Sequence, residues 1–182
     1  MKYRRLIGAF AAMFIAAAGS FCQNQANSRP QRRVRPSMYR RVPPRIRTAL
    51  NRRHCELPEV QSSGKPINVF SGRFSDVQQT DWAAACITPD GSLLVLLFWG
   101  KTAACPAEIS TGAEFEQRFA PGEAGDLYVA PASAKDILAY RKFFGDSHDN
   151  PVTHSGIEVG DTHASMIYYC YGGVWLELQG AD

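Results

Sequence analysis

Two apolar runs near the middle of the chain place the strongest constraint on its fold. They read DWAAACIT and SLLVLLFW, and the turn sequence Pro89-Asp90-Gly91 joins them. Two such runs on either side of this turn predict a pair of antiparallel β-strands. Residues 93–99 are apolar almost without interruption. That pattern is typical of a central strand, so we expect both faces of its sheet to be covered.

Two other segments predict α-helices that could cover a sheet. Residues 44–53 begin with a proline, which suits the first turn of a helix, and Ile46 and Leu50 fall on one face. Residues 133–145 begin with Ser133, a helix-capping residue, and end at a glycine. We expect both helices to pack on the antiparallel strands. A membrane-surface helix is the alternative for residues 44–53.

The last twenty residues predict a β-hairpin. Two β-rich runs flank Gly172-Gly173, which is a strong signal for a two-residue turn. Because side chains alternate along a strand, one set should face the core and the other solvent or a partner. An exposed aromatic row here would form a binding face, whereas core packing is the alternative. The candidate aromatic residues are Tyr168, Tyr169, Tyr171 and Trp175.

Residues 1–21 have the pattern of a secretory signal peptide. A positively charged start precedes an apolar stretch at residues 6–18, which is short for a membrane span and ends in small residues. An N-terminal membrane anchor is the alternative interpretation. Lipid attachment at Cys22 is disfavoured, because Phe21 stands where a small residue is required. The sequence therefore predicts an exported protein, periplasmic or secreted, with no membrane span after cleavage.

Export permits disulfide bonds. Four cysteines follow the N-terminal region, and they allow three pairings that this count leaves open. The four are Cys55, Cys86, Cys105 and Cys170. The chain contains no Cys-x-x-Cys pair, which disfavours a thioredoxin-like redox site or a zinc ribbon.

Charge is divided sharply along the chain. Residues 29–53 hold ten arginines and no acidic residue, whereas residues 54–182 hold seven Lys or Arg against seventeen Asp and Glu, a net charge of −10. The overall charge of +3 therefore conceals a basic arm on an acidic body. Such asymmetry indicates electrostatic partners.

The basic arm includes a stretch with few core-forming residues. Residues 22–43 are polar and Arg-rich, which predicts a disordered linker. Its candidate binding residues are Arg32, Arg33, Arg35, Arg40 and Arg41. We expect an anionic envelope component or another exported protein as partner, and no nucleic acid. A solvated tether, or contact with the chain's own acidic body, is the alternative.

The stretch GRFSDVQQTDWA resembles the FG-GAP or VCBS-type repeat, whose loop binds calcium through acidic and Asn side chains. Gly72, Phe74, Asp81 and Ala83 match the repeat's spacing. Three other loop positions hold Arg73, Ser75 and Val77 in place of oxygen ligands, and Asp76 falls where the family has glycine. Because calcium needs several oxygen ligands, the resemblance implies a strand–loop–strand unit without the metal site.

A broader resemblance covers residues 44–182. The segments RRHCELPEV, NVFSGRF, TDWAAAC, HSGIE and IYYCYGGVWLELQGAD are similar to an uncharacterised family of exported bacterial proteins. The resemblance implies a compact secreted domain. It also implies a Cys55–Cys86 bridge, which leaves Cys105 with Cys170. The segment THSGIE departs from the family's Asp-His-Asp-Gly-Ile pattern.

Ionisable side chains outside the arm concentrate in residues 146–163. They are Asp146, His148, Asp149, His154, Asp161 and His163. Imidazole and carboxylate groups can bind a transition metal or transfer protons, but the spacing matches no metal or catalytic motif. The chain also lacks GxSxG and a glycine-rich loop that opens a helix. We therefore predict no catalytic residue, metal or cofactor.

Together these patterns predict a disulfide-stabilised single domain of the α+β class at residues 44–182. It should contain an antiparallel sheet with one or two packed helices. The predicted function is an exported, non-catalytic binding or interaction module whose arginine arm docks on an anionic envelope component. A small secreted hydrolase that uses the Asp/His loop at 146–163 is the alternative. A purely structural secreted domain is a third, and the sequence leaves the oligomeric state open.

Overall fold

A computed structural model of the chain describes residues 32–59, 68–111, 127–145, 150–161 and 164–180. The N-terminal strands are β1 (Arg33–Val34), β2 (Leu57–Pro58), β3 (Val69–Gly72), β4 (Asp81–Ile87), β5 (Leu93–Phe98) and β6 (Glu108–Ser110). The later strands are β7 (Tyr128–Ala132), β8 (Gly156–Gly160), β9 (Ser165–Tyr171) and β10 (Val174–Gln179). The helices are a 3-10 turn (Pro36–Met38), α1 (Pro44–Arg52) and α2 (Ala134–Phe144).

The strands form two four-stranded antiparallel sheets and a separate β1–β2 pair. The first sheet has the order β3-β4-β5-β6, and the second has the order β10-β9-β8-β7. The central hairpin predicted from the two apolar runs is confirmed, with Ile87 opposite Leu93 and Trp82 opposite Phe98. Its turn passes through Gly91, whose φ of 91° suits glycine.

The two sheets face each other, and a helix covers each outer face. Side chains alternate along β4, so Ala83 and Ala85 join the core between the sheets while Ala84 and Cys86 contact the α1 side. The inter-sheet core also contains Phe74, Val95, Val129 and Ile157. On the outside, α1 packs Ile46 and Leu50 on the first sheet, and α2 packs Ile137 on the second sheet. Four layers result.

The coarse fold prediction, a small disulfide-bonded α+β domain with antiparallel strands, is confirmed. The structure differs from the prediction in having two facing sheets, where the sequence predicts one. The reason lies in β9, whose two faces both carry large apolar side chains, so both require cover. The bridges are Cys55–Cys86 and Cys105–Cys170, which is the pairing that the family resemblance implies.

The helix predictions are also confirmed. The Ser133 hydroxyl accepts a hydrogen bond from the backbone N–H of Asp136, and Gly145 ends α2 in the left-handed conformation. None of the described helices is both long enough and apolar enough to cross a membrane.

The predicted disordered linker is wrong for residues 32–43. Strand β1 pairs with β2, and Val42 is buried beside α1. Val34 and Tyr39 also pack on this apolar cluster, so the segment buries more apolar area than its arginine content suggests. The folded region therefore begins before Pro44. The rest of the linker and the predicted signal peptide lie outside the described residues.

A buried amide joins the two halves of the molecule. Asn68 is fully buried, and its side-chain oxygen accepts a hydrogen bond from the N–H of Val129 at 2.6 Å. Its side-chain nitrogen donates to the carbonyl oxygen of Pro58. Asn68 thus connects β2, which lies on the first sheet's side, to β7 at the edge of the second sheet.

Candidate functional site

The ordered arm places part of its charge in ion pairs with the body. The guanidinium of Arg32 lies 3.3 Å from the Glu59 carboxylate, and that of Arg33 lies 3.7 Å from Glu56. Contact of the arm with its own acidic body, one alternative from the sequence, therefore occurs at the β1–β2 pair. These two arginines are partly neutralised where they stand.

The other predicted arm residues, Arg35, Arg40 and Arg41, have no such partners. All three are exposed, and no acidic group in the described ranges lies within 4.0 Å of them. Two further arginines, Arg45 and Arg52, which the sequence predicts to face water but which are not among the predicted binding residues, are also exposed on α1. Because seven residues separate them, they share one face of the helix. The sequence feature that could have identified them is the stretch of residues 29–53, which contains ten arginines and no acidic residue.

We call Arg35, Arg40, Arg41, Arg45 and Arg52 the arginine surface. The 3-10 turn packs beside α1, so the two segments that carry these arginines are neighbours. Arg53, by contrast, forms an ion pair with Glu108 on β6. The chain therefore neutralises the arginines that point at its own carboxylates and leaves the arginine surface exposed to solvent.

Tyr39 anchors the segment that carries the arginine surface. Its hydroxyl is buried and has no hydrogen-bond partner in the described part of the chain. Burial, together with the nearby negative charge of Glu59, raises the pKa of Tyr39 to about 12. The ring therefore holds the segment through apolar contact with the α1 cluster.

The aromatic hairpin does not form the predicted exposed row. Tyr168 points into the core between the sheets, while Tyr169 points the other way, under α2. The exposed fractions of these side chains are 5% and 1%. The expectation that one set of β9 side chains faces solvent is wrong, because the first sheet covers one face and α2 covers the other.

The two remaining aromatic residues are divided between packing and exposure. Trp175 stacks on Trp99 with ring centroids 6.0 Å apart, and its Nε1 donates to the carbonyl oxygen of Pro106 at 2.9 Å. Tyr171 is 39% exposed at the hairpin tip. The hairpin aromatics therefore serve mainly as core and edge packing, and only Tyr171 is free for recognition.

The loop that resembles a calcium repeat closes around Asp81. This carboxylate is fully buried and accepts four hydrogen bonds. The donors are Phe74 N at 3.1 Å, Ser75 Oγ at 3.1 Å, Gln79 Nε2 at 2.6 Å and Gly100 N at 2.9 Å. Because donors occupy both carboxylate oxygens, Asp81 fixes the loop without a cation. The close approach of Gly100 to the Thr80 carbonyl leaves no room there for a Cβ atom.

A polar groove of about 410 Å³ lies over this network. Its lining includes Ser75, Asp76, Gln79, Lys101 and Thr102. These groups largely bind one another, since Gln79 both donates to the Thr102 carbonyl and accepts from the Thr102 N–H. Sequence reasoning missed the groove because Ser, Gln and Thr at these spacings carry no distinctive signal.

The Asp/His loop is only partly described. Asp146, His148, Asp149 and His163 lie outside the described residues. His154 is 9% exposed, its ring stacks on Tyr169 with centroids 4.5 Å apart, and its Nδ1 lies 3.0 Å from the Ser155 carbonyl oxygen. The Asp161 carboxylate accepts a hydrogen bond from Ala164 N in the β8–β9 turn. Within the described ranges, no three metal-ligating side chains cluster.

No protein-family model matches the chain, and neither the curated proteins nor the solved structures gave a significant match. Both resemblances from the sequence therefore stay predictions.

Proposed function

We propose that the protein is an exported, non-catalytic binding module that docks on an anionic component of the cell envelope through the arginine surface. The observation that carries this proposal is the selective pairing of the arm's charges. Arg32, Arg33 and Arg53 have carboxylate partners, whereas the arginine surface has none in the described residues.

The order of the arm strengthens the electrostatic argument. A disordered arm would lose backbone entropy on binding, whereas the described arm is already packed through Val42 and Tyr39 and loses less. Guanidinium groups also form bidentate hydrogen bonds with phosphate and carboxylate. Phosphate-bearing lipid headgroups match this chemistry.

The acidic body adds direction to the interaction. Residues 54–182 carry a net charge of −10, so an anionic surface repels the body and attracts the arm. The protein would therefore dock with α1 and the 3-10 turn facing the envelope and the second sheet facing away. The two disulfides support export, because such bonds persist in oxidising compartments.

The test compares the full chain with a variant in which Arg35, Arg40, Arg41 and Arg45 are all changed to Gln. Both proteins are bound to phosphatidylcholine vesicles with and without phosphatidylglycerol across a salt series. We expect the wild type to bind only the anionic vesicles, with affinity falling as salt rises, since exposed charges are screened over roughly 10 Å at 0.1 M. The variant should lose most of that binding.

A control changes Arg32 and Arg33 to Gln, which removes two cations that already have carboxylate partners. It is compared with Arg40→Gln/Arg41→Gln, which removes the same number of charges from the arginine surface. The Arg32/Arg33 control should keep most of the wild-type affinity, and the Arg40/Arg41 variant should lose more of it. Equal binding by the wild type and the four-residue variant would overturn the proposal. So would binding that does not respond to salt.

A further inference from the structure

In the described part of the chain, the two facing sheets have four edge strands, and three of them are protected against pairing with another chain. Strands β3 and β6 have only four and three residues. Strand β7 contains Pro131, and the Asn68 side chain occupies the N–H of Val129. Short strands, prolines and covering side chains are the means by which proteins block edges.

The fourth edge strand, β10, has none of these features. It is six residues long, contains no proline or lysine, and lies at the end of the second sheet. Tyr171 and Val174 flank the two-residue turn, whose glycines have φ values of 60° and 87°. In such a hairpin Val174, Leu176 and Leu178 bond to β9, so the backbone groups of Trp175 and Glu177 point away from the sheet.

A groove lies on the α2 side of this edge, with which no other described strand pairs. It measures about 240 Å³ and is formed by the last turns of α2 and the end of β10. Tyr140, Phe144 and Leu178 supply its apolar lining, and Arg141, Glu177 and Gln179 supply the polar remainder. Phe143, 81% exposed, packs edge-on against Phe144 at the rim. A strand added to β10 would therefore find apolar cover from α2.

The same edge also presents an apolar side chain that needs such cover. Val174 is 55% exposed and lies on the α2 face of β10, as Leu176 and Leu178 do. Val174 lies two residues before Leu176, and Leu178 lies two residues after it. A twofold axis at Leu176 would therefore bring Val174 of each copy beside Leu178 and the groove of the other.

We propose that β10 pairs antiparallel with β10 of a second copy, with Leu176 at the twofold axis. The free backbone groups of Trp175 and Glu177 would then bond to each other across the interface. Val174 of each copy would fill the groove of the other, and the two second sheets would join into one sheet of eight strands. A register centred on Glu177 is less favourable, because it would place two carboxylates directly opposite each other.

This self-complementarity favours a second copy over an unrelated extended segment. The exposed residue and the groove that fits it lie on one molecule at positions that a single twofold axis exchanges, as a closed symmetric dimer requires. The inference does not depend on the arginine surface, which lies on the first sheet's side of the molecule.

The test measures the oligomeric state of the full chain by sedimentation equilibrium over a range of concentrations. Two variants probe the edge. Val174→Lys puts a charge on an exposed position, and Glu177→Pro removes an N–H that points away from β9 in this hairpin pairing. The matched control is Val77→Lys, at an apolar position that is 49% exposed in the β3–β4 loop.

We expect a wild-type dimer whose dissociation constant rises at least about tenfold in both edge variants, which corresponds to about 1.4 kcal/mol. The Val77→Lys control should match the wild type. Circular dichroism and formation of both disulfides check that each variant folds. A wild type that is monomeric at every concentration would overturn the proposal, even if that monomer binds an extended peptide at β10. Dimers that persist in both edge variants would also overturn it.

Discussion

The molecule consists of two helix-on-sheet units, here called the α1 layer and the α2 layer, and the two helices are anchored very differently. Helix α1 inserts two residues, Ile46 and Leu50, that are 1% and 0% exposed, and a disulfide to β4 follows directly at Cys55. Helix α2 inserts one such residue, Ile137, and leaves Phe143 exposed at its end. The layer that carries the arginines is thus the better anchored of the two.

This difference shows that a highly charged segment can still be ordered. Ten arginines in residues 29–53 indicate a solvated tail, yet a few apolar residues and a disulfide suffice to hold the described part of that segment. The α2 layer is less charged but exposes more apolar surface. We infer that the first layer suits an electrostatic partner and the second suits an apolar one.

The largest expected effect comes from removing each disulfide in turn. The bridges close loops of 31 and 65 residues, so each should contribute about 4 kcal/mol to the free energy of unfolding by the loop-entropy estimate. The Cys55→Ala/Cys86→Ala variant should also speed hydrogen exchange in α1 while leaving α2 unchanged. Urea unfolding and amide exchange measure the two effects.

The Cys105→Ala/Cys170→Ala variant tests whether the faster exchange in α1 is specific to loss of the Cys55–Cys86 bridge. It should destabilise the protein by a similar amount without selective exchange in α1, because this bridge joins the loop after β5 to β9. Equal loosening of α1 in both variants would show that the two layers are not anchored separately.

A smaller effect is expected at Asn68, which connects the two halves. Asn68→Ala leaves the Val129 N–H and the Pro58 carbonyl oxygen without their partner in a buried site. Each unsatisfied group costs about 1–3 kcal/mol, so we expect a loss of about 3 kcal/mol in urea unfolding. Unlike the Cys55–Cys86 change, it should destabilise both layers together.

Asn51→Ala is the matched control for this substitution. Asn51 is exposed on α1, and alanine is the better helix former, so stability should change by less than about 0.5 kcal/mol. An Asn68→Ala variant as stable as this control would contradict the linking role of the buried amide.

The local elements of the fold were predictable because their signals are local. The Pro-Asp-Gly turn, the Ser133 cap and the Gly172-Gly173 turn each fix a few backbone angles, and the structure has all three features. The division into two sheets was not predictable in this way. It depends on which face of β9 meets which layer, and alternation alone leaves that choice open.

The candidate site was predictable only in part, for a related reason. The arginine run was visible, but the selection of Arg32 and Arg33 for ion pairs depends on carboxylates at residues 56 and 59 that meet them through β1–β2 pairing. Likewise, the tyrosine row suggested a surface because Tyr suits both core and interface. Contacts distant in sequence decided both outcomes.

The smallest expected effect compares one tyrosine from each layer. In the α2 layer, the Tyr169 hydroxyl accepts from Thr153 N at 3.0 Å and donates to the Pro151 carbonyl oxygen at 3.1 Å. Tyr169→Phe should therefore cost about 1 kcal/mol in urea unfolding. In the α1 layer, the Tyr39 hydroxyl is buried without a partner in the described residues, so Tyr39→Phe should change stability by less than about 0.5 kcal/mol.

An alkaline titration sharpens this contrast. Because burial and Glu59 raise the pKa of Tyr39 from 10.0 to about 12, the folded state favours the neutral phenol. The resulting stability is fully present below pH 10 and is lost as the pH rises from 10 to about 12. Tyr39→Phe cannot ionise, so it should lose less stability than the wild type over that interval. Identical losses in the two proteins would show that ionisation of Tyr39 does not release the arginine-bearing layer.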